Sequence, residues 1–192
     1  MFAAIHNYLG VAVLGGLPLL TTHLMPYSAP DSVHYCSRCA TPMITREYSG
    51  KQRRTCPNCG FIHFTDPKVG VGVLVQQEGK ILLVRRTMKP EIGKWSIPAG
   101  YLDHGEDPQE TAVRETLEET NLHVEITGLL DVYHNPPAEG GASIFILYRA
   151  RLLGGQLQAG DDADDARFFA LDNLPELAFA STREAIHLLQ ET

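Results

Sequence analysis

Glu118 and Glu119 follow Glu115 by three and four residues in the segment RETLEET. On a helix that spacing stacks carboxylates on one face, where like charges repel by about 0.2–0.5 kcal/mol per pair. A solvated acidic face normally interleaves lysine four residues on, and none lies between Arg114 and the end of this segment. Hard divalent cations with oxygen ligands, Mg²⁺ or Mn²⁺, would relieve the repulsion, because they keep waters and bridge carboxylates to phosphates. A plain acidic helix is the competing reading for the glutamates alone. The wider arrangement favours a metal: a Gly-led loop, GYLDHGED, carries Gly100 and Glu106 ahead of the helix, and Arg114 stands beside its first glutamate.

A second cluster lies upstream. All four cysteines fall in two pairs, Cys36-x-x-Cys39 and Cys56-x-x-Cys59, with 16 residues between the pairs. Each pair sets two thiolates on one tight knuckle, and two facing knuckles supply the tetrahedral four-sulfur shell that suits Zn²⁺. Pro57 and Gly60 are turn residues of the kind a knuckle needs. Two disulfides in an exported domain are the alternative, disfavoured by the spacing. Four sulfurs leave no open position for water, so this metal is read as a structural staple for residues 34–65. His34 and His63 flank the knuckles, and Lys51, Arg53 and Arg54 cluster in the connecting segment, read as a solvated face.

The elements that must hold the carboxylates follow from pattern. Asp107 is placed to cap a helix with Pro108 at its first position. Ala112, Val113, Thr116, Leu117 and Thr120 recur at helical spacing and form the face expected to be buried. Val69 to Val75 and Ile81 to Arg86 flank a Gly-containing turn and read as a hairpin. Further β-like runs lie at Val124 to Tyr133, Ser143 to Leu153 and Arg167 to Ala170, and a second helix opens near Ser181. Residues 134–141, HNPPAEGG, read as a loop. The class expected is α+β with a mixed sheet, preceded by a small ribbon, and divided as 1–33, 34–65 and 66–192.

Gly100, five residues, Glu106, seven residues, then Arg114-Glu115-x-x-Glu118-Glu119-x-x-Leu122 resembles the Nudix box of hydrolases acting on nucleoside diphosphates linked to another moiety. Two positions depart from the box. Thr116 replaces an aliphatic residue and still offers a methyl group, and Asn121 replaces glycine as the next-best residue for a left-handed helix end. The resemblance covers Asp66 to the C-terminus and implies an α/β/α sandwich with a mixed sheet. With its ribbon, the chain is also similar to Nudix hydrolases of ADP-ribose or FAD, notably in Lys94 to Leu102 and Arg167 to Asp172. NADH pyrophosphatases usually carry a Ser-Gln-Pro-Trp-Pro-Phe-Pro run after the box, where this chain reads GLLDVYHNPPAEGG. Pro136 and Pro137 roughly fill the place of a proline often found in ADP-ribose hydrolases.

What the resemblance implies is divalent-metal-dependent hydrolysis of a pyrophosphate bond, releasing AMP from ADP-ribose or FAD. NADH, an oxidised nucleoside triphosphate, or a non-catalytic nucleotide-sensing role are the alternatives. Glu115, Glu118, Glu119 and Gly100 are the expected metal site, with Arg114 orienting Glu115 and Glu106 an outer ligand or structural partner. Glu118, or downstream Asp162 or Asp165, is the expected base. Arg85, Arg86 and Lys94 are candidates to meet the diphosphate. Trp95, Tyr101 and Tyr133 are candidates to stack on the base, while Phe145 reads as core.

The chain has 192 residues, a formal charge of −7 and a sequence pI near 5.6. That balance argues against coating nucleic acid or anionic membrane by bulk charge, although a local basic site remains open. The expected partner is a small dinucleotide rather than nucleic acid or membrane, with a homodimer and a cytoplasmic location as further expectations. Leu9 to Leu20 is apolar but broken by Gly15, Gly16 and Pro18, and is too short to span a bilayer. No basic residue precedes it, so an export signal is disfavoured, and an upstream start codon or a packed arm is preferred for residues 1–33.

Overall fold

The computed structural model describes residues 33–135 and 142–190; the expectations for residues 1–32, Pro136, Pro137 and the rest of 136–141 lie outside them. The chain divides into two compact units between Thr65 and Asp66. Among the described residues no helix is long and apolar enough to cross a membrane.

The first unit holds an antiparallel hairpin, β1 (Ile44–Tyr48) and β2 (Lys51–Thr55). Its two cysteine knuckles repeat one geometry: the amide of Ala40 donates to the Cys36 carbonyl at 2.8 Å and that of Gly60 to the Cys56 carbonyl at 3.1 Å. Ala40 and Gly60 both adopt the left-handed conformation, which tightens each loop around its sulfurs. Cys36, Met43 and Cys56, with Val33 and Phe61 against them, make up its apolar centre.

The second unit is built on a mixed sheet. Its strands are β3 (Val69–Gln77), β4 (Lys80–Arg86), β5 (Trp95–Ser96), β6 (Ala99–Tyr101), β7 (Leu122–His134), β8 (Ile144–Gly155) and β9 (Ala163–Ala170). The order is β5-β4-β3-β8-β7, with β6 paired to β3 and β9 to β4; β3 and β8 run parallel and the other pairs antiparallel. Alternation along β3 assigns its two faces. Val71, Val73 and Val75 pack with Ala112 of helix α1 (Pro108–Thr120), whereas Leu74 packs with Ala185 of helix α2 (Ala180–Gln190). One helix on each face gives the expected α/β/α sandwich. The short strands β5 and β6 have no counterpart in the sequence reading, since two or three residues carry no periodicity.

The caps of α1 form as their residue types dictate. The Asp107 carboxylate accepts from the Gln109 and Glu110 amides at 2.8 and 3.2 Å. Asn121 ends the helix in the left-handed conformation, its amide donating to the Leu117 carbonyl at 2.8 Å. One face assignment needs correction. Leu117 is 37% exposed, and Glu119 rather than Leu117 is buried, at 5%. Thr116 and Thr120 are buried beside Ala112 with their hydroxyls bonded to carbonyls four residues back, so the inward face is rotated toward Glu119.

Candidate active site

The helix faces a cleft of about 420 Å³ whose wall includes Gly100, Arg114, Glu115 and Glu119. Glu115, Glu118 and Asp161 place carboxylate oxygens within 4.8 Å of one another, a spacing open to divalent-ion ligation. Asp161 arrives through helix-end chemistry. The last carbonyls of a helix lack intrahelical partners; here the Gln158 and Gly160 amides donate to the Thr120 and Glu119 carbonyls at 3.0 and 3.1 Å. A Cβ at Gly160 would lie 2.7 Å from the Glu118 carbonyl, so only glycine lets the loop approach this closely and bring Asp161 to the cluster.

Arg114 ties the cluster together, with guanidinium nitrogens 3.0 Å from Glu115, 2.9 Å from Glu118 and 3.3 Å from Glu106. Glu106 also accepts from the Asp103 amide at 3.0 Å and the Thr111 hydroxyl at 3.1 Å. The Asp103 amide, foremost, holds the Glu106 carboxyl below its usual range. Its contacts make it an anchor for Arg114 rather than part of the three-carboxylate group.

Burial raises the Glu115 pKa and pushes that of Glu119 up to about 8, the latter opposed by the Ala99 amide donating to Glu119 at 2.9 Å. The sign of the resulting pH dependence follows. A glutamate whose folded pKa exceeds its ordinary 4.5 binds more protons folded than unfolded. Metal-free protein therefore loses stability as pH rises from about 5 through about 8, and a cation that binds the ionised carboxylates flattens the loss. Thermal unfolding across that range, with and without Mg²⁺, measures both; a metal-free midpoint that rises with pH refutes the assignment.

Gly100 has a steric role, because a Cβ there would fall on the Glu115 carboxylate. That carboxylate is the mobile end of a side chain, so Gly100→Ala is expected to displace it at little cost in stability. Activity should fall by about two orders of magnitude while the thermal midpoint moves by no more than a few degrees. Unchanged turnover contradicts this role.

The other predicted contacts separate. Arg85 and Arg86 are successive residues of β4 and so take opposite faces, and between them the pairing shifts at an extra residue of β9, Asp164. Arg85 pairs with Asp164 at 2.7 Å, whereas Arg86 lines the cleft, its guanidinium 4.9 Å from the Phe179 ring centre. Arg85, Lys94 and Trp95 do not line the cleft. Lys94 is held by Glu91 and by Glu176, the latter at 3.1 Å. Trp95 is buried edge-to-face on Phe169, with centroids 4.7 Å apart. Tyr101 lines the cleft, with the Lys68 ammonium 5.1 Å from its ring centre. Phe145 packs against the core as expected and also reaches the cleft, whereas Tyr133 is buried, with its ring centroid 6.5 Å from that of Phe145, and does not line the cleft. Asp162 lines the cleft, but Asp165 pairs with Arg167 at 2.6 Å and does not. Sequence reasoning missed Asp161 and Phe179. The acidic run GDDADD signalled the first; nothing distinguished the second.

In the other unit, the four thiol sulfurs lie within 4.8 Å of one another, with Cys36–Cys59 at 3.6 Å and Cys39–Cys56 at 3.5 Å. Tetrahedral Zn²⁺ with bonds of about 2.3 Å requires sulfur–sulfur edges of about 3.8 Å, so the donor set fits zinc. All four cysteines are free thiols.

An α/β/α sandwich with a carboxylate cluster at the mouth of a polar and aromatic cleft defines a class of metal-dependent hydrolase. The chain belongs to the NUDIX family: the NUDIX domain matches residues 66–189. It is 41% identical over 117 residues to an ADP-ribose pyrophosphatase of Methanocaldococcus jannaschii, covering 60% of this chain and 69% of that protein. It is 30% identical over 144 residues to the NAD-capped RNA hydrolase NudC of Stutzerimonas stutzeri, covering 74% of this chain and 50% of that one. The chain thus spans half the length of that second relative. A crystal structure of a NUDIX hydrolase from Nitrosomonas europaea superposes with a TM-score of 0.73 at 36% identity, covering 82% of this chain and 90% of that one.

Proposed function

We propose that the protein hydrolyses the pyrophosphate bond of an ADP-linked compound, ADP-ribose or FAD, releasing AMP. The observation that carries this is the carboxylate group of Glu115, Glu118 and Asp161 beside a cleft holding cationic Arg86 and the rings of Tyr101, Phe145 and Phe179. The similarity to an ADP-ribose pyrophosphatase supports the same reading.

Glu115, Glu118 and Asp161, with Glu119 behind them, would hold Mg²⁺ or Mn²⁺. When bound, such ions neutralise charge on the transferring phosphoryl group and lower the pKa of a coordinated water. Arg114 keeps two of the carboxylates aimed together, and Gly100 leaves room for Glu115. Arg86 supplies positive charge for the diphosphate, and the aromatic side of the cleft offers stacking surface to adenine. The proton from the attacking water goes to Glu118 or Asp162; pH–rate profiles of Glu118→Gln and Asp162→Asn identify which, since loss of the base removes the acidic limb.

A second reading, hydrolysis of NADH, has one specific support. The match to NudC is longer than the stretch from Asp66 to the C-terminus, so it includes part of the ribbon unit. The deciding assay incubates metal-stripped, zinc-retaining protein with ADP-ribose, FAD, NADH and a nucleoside triphosphate, with and without Mg²⁺, and quantifies products. Mg²⁺-dependent AMP from ADP-ribose or FAD is expected. Turnover confined to NADH establishes the second reading, and nucleotide binding without turnover of any of the four establishes a sensor.

A further inference from the structure

The net charge of −7 conceals a division. Residues 34–65 hold five basic residues, Arg38, Arg46, Lys51, Arg53 and Arg54, against one carboxylate, Glu47; from Asp66 onward 21 acidic residues outnumber 11 basic ones. Screening confines electrostatics to about 8 Å at physiological salt, so the local balance decides what the ribbon attracts.

The β1–β2 register sorts those charges by face. Cross-strand partners share a face and successive residues alternate. Ile44, Arg46 and Tyr48 therefore lie on one face with Lys51, Arg53 and Thr55, while Thr45, Glu47, Gln52 and Arg54 take the other. Arg54 serves the ribbon itself, donating to the Val33 carbonyl at 2.9 Å, the Met43 carbonyl at 2.6 Å and the Thr45 hydroxyl at 3.0 Å. The lone carboxylate thus sits on the structural face, opposite Arg46, Lys51 and Arg53. Arg46 lies directly across from Arg53, a like-charge pairing that destabilises a hairpin.

The same face carries exposed rings. Tyr48 and Phe64 are 46% and 49% exposed and meet edge-on with centroids 6.4 Å apart. The Arg53 guanidinium stands 4.5 Å from the Phe64 ring centre. Cations that follow a phosphate backbone, interleaved with rings on which bases stack, are the recognition chemistry of single-stranded polynucleotides. An acidic peptide would engage the cations and gain nothing from base stacking, and a duplex keeps its base faces covered.

We propose that the face formed by Arg46, Tyr48, Lys51, Arg53 and Phe64 binds single-stranded nucleic acid. Binding at this face does not depend on which substrate the second unit hydrolyses. The test is fluorescence anisotropy of a labelled oligouridylate of about 12 nucleotides with the full zinc-loaded chain, at a salt concentration of about 50 mM. Saturable binding is expected, and its logarithm should fall linearly with the logarithm of salt concentration. Arg46→Ala with Lys51→Ala should weaken binding about tenfold and lower the salt slope by about 1.4, at roughly 0.7 per phosphate contact. Tyr48→Ala and Phe64→Ala should each weaken it about tenfold without changing that slope. Zinc content and Mg²⁺-dependent hydrolysis of a free dinucleotide should stay unchanged in all these variants. Absence of binding at low salt overturns the proposal. So does binding that the ring substitutions leave intact, or that polyglutamate of matched charge competes as well as unlabelled oligouridylate.

Discussion

Glu118→Gln is expected to lower kcat about a thousandfold, the rate equivalent of about 4 kcal/mol, with little change in thermal stability. The two halves of that expectation have separate causes. Glu118 contributes an oxygen to the group with Glu115 and Asp161, and the amide that replaces it carries no charge to hold a divalent cation. The side chain is 43% exposed and pairs with Arg114, which keeps Glu115 and Glu106 as partners when Glu118 is neutralised. No core contact is removed. The activity lost should be partly recoverable by raising Mg²⁺ if Glu118 acts as a ligand, whereas a missing base is not replaced by metal. Steady-state kinetics across a Mg²⁺ titration, with a thermal melt on the same sample, reads both quantities. Turnover equal to that of the unmodified protein would sink the metal-site assignment.

Stripping zinc, or replacing Cys36 with Ser, should unfold residues 33–65 while leaving the sheet from Asp66 onward intact. Among the described residues the apolar centre of the ribbon is Cys36, Met43 and Cys56 with Val33 and Phe61 against them, too small a core to order a unit of this length without a staple. In small cysteine and histidine domains the free energy of zinc binding is folding free energy. The second unit has its own clusters on both faces of the sheet. Hydrogen exchange should therefore show β1 and β2 amides losing protection by several orders of magnitude on metal removal, with β3, β4 and β8 unchanged. Ribbon amides that stay protected in metal-free protein would show that the thiols are not its staple.

Two features are legible in the sequence because they depend on neighbours in the chain. Asp107 caps α1 and Asn121 closes it through contacts within four residues, and the hairpin of β3 and β4 turns at Glu78 and Gly79, both at positive φ. Periodicity also located β7 and β8. The inward face of α1 at Leu117 and Glu119 is not legible in the sequence, because a charged residue is not expected in a core. The Ala99 amide, 20 residues back in sequence, gives the Glu119 carboxylate its hydrogen bond.

The sequence by itself determined the box glutamates, their anchoring Arg114, the zinc-type cysteine spacing and the α+β sandwich, since spacing along a helix or knuckle is fixed by local geometry. Only the tertiary structure decided which of the remaining candidates meet. The pairing of β4 with β9 set Arg85 against Asp164 and left Arg86 on the cleft wall. A loop binding the open carbonyls at the end of α1 brought in Asp161 in place of Asp165. Phe145 and Phe179 came to the wall, while Trp95 and Tyr133 went to the interior. Each outcome rests on strand register or on a contact between residues distant in the chain, and a one-residue shift in register exchanges the faces of a strand. Pattern along the chain carries the periodicity of an element but not its register against its neighbours.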